Sequence, residues 1–111
     1  MSEEDELSAY LDMVHRIPAV GDQEALDLGG AIRRGDQPAR KRLIEAHLRL
    51  VVALTEEYRA SGLSQGELIG AGNLGLVRAV EHHDWERGGG FADSAATHIR
   101  GAIVDAIREH G

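Results

Sequence analysis

The chain has 111 residues and a mass of 12.0 kDa, the size of one domain, and its 42% apolar content is enough for a modest single core. It contains no cysteine, which excludes disulfides, zinc–thiolate sites, iron–sulfur clusters and thiol catalysis. A net charge of −7, from 19 acids against 12 bases, argues against free-standing, sequence-blind binding of nucleic acid.

Fifteen alanines, twelve leucines, two prolines and only four aromatics (Tyr10, Tyr58, Trp85 and Phe91) point to helices rather than a sandwich or barrel. From Asp5 to Ile17 the apolar residues Leu7, Tyr10, Leu11, Val14 and Ile17 recur in steps of three and four, one face of a helix that Pro18 ends. Asp22 is the expected cap of a second helix, whose apolar side is Ala25, Leu26, Leu28, Ala31 and Ile32. Gly29 and Gly30 weaken it by roughly 1 kcal/mol each relative to Ala, so packing must hold it, and Gly35 closes it. Asp36 caps the longest expected helix, Gln37 to Ala60, in which Leu48 to Leu54 is apolar nearly all round and belongs at the centre of the core. Ser61-Gly62 ends it. Ser64 and Glu67 then form a capping box opening a helix to about Val80–His82. There Gly72 and Gly75 permit a close helix crossing. His83 to Gly90 reads as a loop ending in three glycines, and a last helix runs from about Asp93 to Glu109. The expectation is an all-α, compact bundle of about five helices.

Charge is unevenly spread. Residues 1–30 carry eight acids and one base, residues 31–60 four and seven, and residues 61–111 seven and four. The basic stretch Arg33, Arg34, Arg40, Lys41 and Arg42 reads as a solvated helix face. No apolar run approaches the roughly 20 residues of a membrane span, and the start, Met1-Ser2-Glu3-Glu4-Asp5-Glu6, is unlike a signal peptide. A soluble, cytoplasmic protein with no membrane partner is expected. No histidine pair has HExxH spacing, and His82-His83-Asp84 reads as a solvated helix end rather than a metal site. Ser64 is a cap rather than a nucleophile. No enzyme, metal or cofactor is expected.

Three segments carry more information: Arg42-Leu43-Ile44-Glu45-Ala46-His47-Leu48-Arg49-Leu50-Val51-Val52, then Gly62-Leu63-Ser64, then Glu67-Leu68-Ile69-Gly70-Ala71-Gly72-Asn73-Leu74-Gly75-Leu76-Val77-Arg78-Ala79-Val80-Glu81. Together they resemble region two of the housekeeping-type bacterial RNA polymerase sigma factors, which typically reads LIEANLRLVV, a turn of the form RGLS, and DLIQEGNIGLMRAVEKFD. Leu7 to Pro18 is similar to the short helix preceding that region, and Asp84 to Ile107 follows the spacing of the promoter-melting segment. The resemblance covers roughly residues 5–108.

It implies a single region-two-like domain over 1–111, with preceding helices in 5–35, core and polymerase-docking helices in 36–82, and a loop and promoter-facing helix in 83–108. The implied partners are the clamp coiled coil of core RNA polymerase, met by Glu67, Leu68, Asn73 and Val77, and promoter DNA, met by Trp85, Arg87, Phe91, Thr97, His98 and Arg100. There are departures. Gly70 and Ala71 stand where the family has Gln and Glu, and Val77 where it has Met. His83 and Gly89 replace aromatics, Ser94 replaces the Tyr that stacks on a flipped base, and Thr97-His98 replace a Trp pair. Each lost stacking platform forgoes about 1–3 kcal/mol of strand capture, so weakened DNA reading is implied. Gly101, Val104 and Asp105 replace polar or basic positions, and Asp105 repels phosphate.

The chain has no room for the downstream helix-turn-helix domain of complete sigma factors. The expected function is therefore that of a sigma-like transcription-initiation protein, stripped-down, partial or a piece of a longer one. The alternative is an interaction module that keeps the fold without reading DNA: a co-sigma partner, a clamp competitor or a decoy for a sigma inhibitor.

Overall fold

The computed structural model describes residues 2–86 and 90–110. Helix α1 (Glu3–Arg16) starts two residues before the expected Asp5, because Ser2 and Asp5 form a capping box. Ser2 Oγ accepts from the Asp5 N–H at 3.1 Å, and Asp5 Oδ2 accepts from the Ser2 N–H at 3.4 Å. At the other end Ile17 is extended before Pro18, as the proline requires. Only Val14 of α1 is buried, so this helix is lightly attached. Helix α2 (Asp22–Arg33) is capped by Gly21 rather than by Asp22, which is its first helical residue and makes no side-chain cap. Gly35, at φ +88°, ends it.

The single helix expected over 37–60 is instead three pieces: α3 (Gln37–Ala46), α4 (Leu48–Thr55) and a 3-10 turn (Glu56–Ser61). Asp36 caps α3 as expected, accepting from the Ala39 N–H at 3.0 Å. The break is at His47 (φ −109°, ψ 5°). Its backbone N–H bonds to Ile44 at 3.0 Å, while its ring Nδ1 takes the Leu43 carbonyl at 2.8 Å, the acceptor a continuous helix would give to the backbone. Counted as one interrupted rod, the three pieces leave the bundle at five. The run 48–54 is also less uniformly buried than expected. Val51 and Leu54 are in the core, Leu48, Leu50 and Val52 are half-buried, and Ala53 is exposed. The eight residues make just over two turns, and Arg49 and Ala53, four apart on one face, are left to water.

Gly62, at φ +97°, turns the chain into α5 (Gln65–His82), and α6 (Phe91–His110) packs antiparallel against it after the 83–90 connection. Helix α6 begins at Phe91 rather than Asp93. Two of the four glycines of α5, Gly72 and Gly75, mark the crossing points. A methyl at Gly72 would stand 2.7 Å from Val51 Cγ1, and one at Gly75 would run into the His98 carbonyl and lie 2.9 Å from Ala102 Cβ. Around them Leu43, Val51, Leu68, Leu76, Ile99 and Ile103 are essentially sealed from water. Each such side chain contributes about 1.5–3 kcal/mol.

The basic stretch is not simply solvated. Arg33 pairs with Glu86 at 3.5 Å, Arg40 with Glu81 at 3.2 Å, and Arg42 with Glu24 at 3.5 Å. Arg42 also donates to the carbonyls of Pro18 (3.0 Å) and Ala19 (3.4 Å), tying the α1–α2 link to α3. Among the described residues no helix is long and apolar enough to cross a membrane.

Candidate functional site

The start of α5 is fixed by its capping box. Ser64 Oγ accepts from the Glu67 N–H and Glu67 Oε1 accepts from the Ser64 N–H, each at 3.1 Å. Hydrogen bonds from Ser64, its backbone N–H first and its hydroxyl second, hold the Glu67 carboxyl below its ordinary pKa, so it stays charged at the exposed rim of the helix. Next along that surface, Gly70 leaves the backbone open, with nothing within 4 Å of where a side chain would begin. Leu74 is 50% exposed, an apolar residue the sequence reading passed over. Ala71, Asn73 and Val77 are half-buried beside it. Leu68, expected on the docking face, is only 1% exposed and points into the core. Helical geometry puts it one residue round from Glu67, on the side that packs inward.

Asn73 has a partner that no sequence signal indicated. Its Nδ2 donates to the Tyr10 hydroxyl at 3.3 Å, linking α5 to α1 across 63 positions. Its Oδ1 is buried with no partner among the described residues. Reversing the amide moves the unpaired group to nitrogen without removing it.

The second cluster lies at the other end of α5. Trp85 stacks on Phe91 with centroids 5.4 Å apart and planes 9° from parallel. His83 sets its ring edgewise to Trp85 at 4.5 Å and to Phe91 at 5.4 Å, and His47 sets its own edgewise to Phe91 at 4.9 Å. Burial leads the causes that lower the pKa of both histidines, with Leu43 and Arg42 modifying His47, and Asp84 and His98 modifying His83. Trp85 is seated on α2 at Gly29, where a methyl would come within 2.6 Å of Cε3. Phe91, expected to face the promoter strand, is 4% exposed and is a core residue. The stack holds the connection onto the bundle, and of its two rings Trp85 is half-buried while Phe91 is sealed in.

Thr97 is exposed and donates to the Asp93 carbonyl at 3.2 Å. His98 is half-buried, its Nδ1 on the Ser94 carbonyl at 2.9 Å. Arg100 does not reach the acids next to Trp85. It forks onto Glu57 of the 3-10 turn, Nε to Oε1 at 3.2 Å and Nη2 to Oε2 at 3.0 Å. Arg87 lies outside the described residues, as do Gly88 and Gly89. Thr97 and Arg100 thus share one exposed face of α6, Trp85 is seated apart from them on α2 and Phe91, and Glu67 and Gly70 share an exposed face of α5.

Residues 43–111 match the family model for sigma-70 region 2. The chain belongs to the sigma-70 region 2 family. It is 41% identical over 106 residues to the RNA polymerase sigma factor SigA of Clostridium acetobutylicum, a match covering 96% of this chain and 28% of that protein. It is 38% identical over 105 residues to the RNA polymerase sigma factor SigA of a Bacillus species, covering 95% and 28%. The chain spans a little over a quarter of the length of these curated relatives. The region 2 match begins at Leu43 and takes in every candidate site residue, while the SigA similarity also reaches back over most of α1 and α2.

Proposed function

We propose that the chain acts as a sigma-factor region 2 in transcription initiation, a non-enzymatic role. It docks on the clamp of core RNA polymerase through the exposed face of α5 and brings the exposed face of α6 to the promoter's upstream melted element. Glu67, Gly70, Asn73, Leu74 and Val77 form the docking face. Trp85, Thr97, His98 and Arg100 form the DNA-facing side, with Arg87 assigned to it by resemblance alone. In this reading 1–111 is one domain. The observation that carries it is the division of labour on α5. One side is welded to α4 and α6 at Gly72 and Gly75, while the opposite side holds an exposed charged cap residue, a bare glycine and a half-exposed leucine. Family membership and the SigA relatives support initiation over a module that has given up promoter reading.

The test is equilibrium binding of the labelled chain to sigma-free core RNA polymerase, followed by titration of a fork-junction promoter DNA. Tight core binding and salt-dependent DNA capture are expected. The double variant Gly70→Gln, Ala71→Glu restores the family's polar pair, at an open position for Gly70 and at a half-buried one for Ala71, and tighter core binding is expected from it. Core binding without DNA capture selects the interaction-module alternative. No binding to core overturns the docking assignment.

A further inference from the structure

Between the N-terminal turns of α1 and α5 lies an open groove of about 620 Å³. Leu7, Tyr10 and Ile69 give it an apolar lining, and Asn73 closes its inner end. Glu3, Glu4 and Glu6 stand along the α1 side and Glu67 on the α5 side, and among the described residues no Lys or Arg lines it. Among the described residues, none of the three α1 glutamates has an ion-pair partner within 4.0 Å. The imbalance is regional, since residues 1–30 hold eight acids and one base. On the α5 side Gly66 and Gly70 present backbone, with no atom nearer than 4.0 Å to where their side chains would start. A carboxylate-rimmed, apolar-lined trough with an open helix backbone along one wall complements one kind of occupant, a helix with an apolar stripe and Lys or Arg beside it.

We propose that α1 is the second wall of the docking surface, its Glu3, Glu4 and Glu6 joining the exposed face of α5 to receive a basic amphipathic helix of the polymerase. This rests on the docking reading of α5 and adds residues that the region 2 match, which begins at Leu43, does not contain. Tyr10 sits at the junction of the two walls.

The experiment titrates the full chain into sigma-free core RNA polymerase at several salt concentrations. The variant Glu3→Gln, Glu4→Gln, Glu6→Gln keeps the Ser2–Asp5 capping box. The control Asp12→Asn, Asp22→Asn, Asp27→Asn makes the same change of charge outside the groove. Circular dichroism checks that both keep the helix content of the parent. The groove variant is expected to bind roughly five-fold or more weakly, with a shallower salt dependence, and the control to bind like the parent. Equal weakening by both sets makes the effect one of net charge and overturns the proposal. Unchanged binding overturns it as well. So does tighter binding, which makes α1 a shield rather than a wall. In these three cases the parent still binds core and the docking face of α5 stands; failure of the parent to bind removes both.

Discussion

Arg100 shows how a residue can match a family pattern and still be committed elsewhere. Its guanidinium is held bidentately by Glu57, 43 positions back in the chain, and the contact draws the Glu57 carboxyl below its ordinary pKa and the guanidinium above. Both side chains are about half exposed, at 46% and 47%, so water screens the pair and a phosphate presenting the same bidentate geometry can compete for the arginine. Converting Glu57→Gln removes the competing charge. It is expected to leave the melting temperature nearly unchanged, to strengthen fork-junction DNA capture by the polymerase complex, and to steepen its salt dependence by about one unit of slope. DNA capture with unchanged affinity and slope would show that Arg100 does not meet phosphate. The sequence made Arg100 visible as a candidate. Glu57 was invisible, because an exposed acid in a 3-10 turn has no periodicity that assigns it a partner.

At the level of elements, local signals were legible and tertiary ones were not. The Ser64–Glu67 box, the stop at Pro18 and the Asp36 cap involve residues a few positions apart, so their physics is contained in the sequence. Gly72 and Gly75 could be read as a crossing because a small residue every third position on an apolar face has few other uses. The break at His47 could not, since it depends on the ring choosing the Leu43 carbonyl and the edge of Phe91. Nor could the purpose of Gly29, which in the sequence is only a defect in α2. Its neighbour Gly30 provides the comparison. A methyl at Gly30 meets nothing closer than Arg34 Nη1 at 3.5 Å, so Gly30→Ala is expected to stabilise the protein by up to about 1 kcal/mol. A methyl at Gly29 falls 2.6 Å from Trp85 Cε3, and the indole cannot retreat without disturbing its stack on Phe91. There the helix preference is outweighed by overpacking of about 1–3 kcal/mol, so Gly29→Ala is expected to lower the melting temperature. Trp85 is the only tryptophan, and a red shift of its emission in Gly29→Ala but not Gly30→Ala would locate the disturbance. Stabilisation by both substitutions would mean that α2 does not seat the indole.

Over the whole molecule, the two histidines that flank Phe91 join separate parts of the chain: His47 at the junction of α3 and α4, and His83 after α5. Since a carbonyl only accepts, the proton of neutral His47 sits on Nδ1, facing Leu43, and the rest of the ring lies against Phe91. Burial disfavours a second proton on either ring, so both native pKa values lie below the ordinary 6.5. In the unfolded chain the same residues take up protons near 6.5. As pH falls through that value, the unfolded state therefore binds more protons than the native state, and stability declines with it. The decline levels off only below the depressed native values. Glu57 and Glu67 act in another window. Their lowered pKa values give stability that is present above the ordinary 4.5 and lost on further acidification through the native values, so they leave the slope between pH 7 and 5 to other groups. The melting temperature is thus expected to be flat above about pH 7.5 and to fall toward pH 5, where the histidines charge. The double variant His47→Gln, His83→Gln should start from a lower melting temperature and show a shallower fall. An equally steep fall in that variant would place the acid sensitivity outside the aromatic cluster. A shallower one would place it in His47 and His83, the two rings packed against Phe91 at the start of α6.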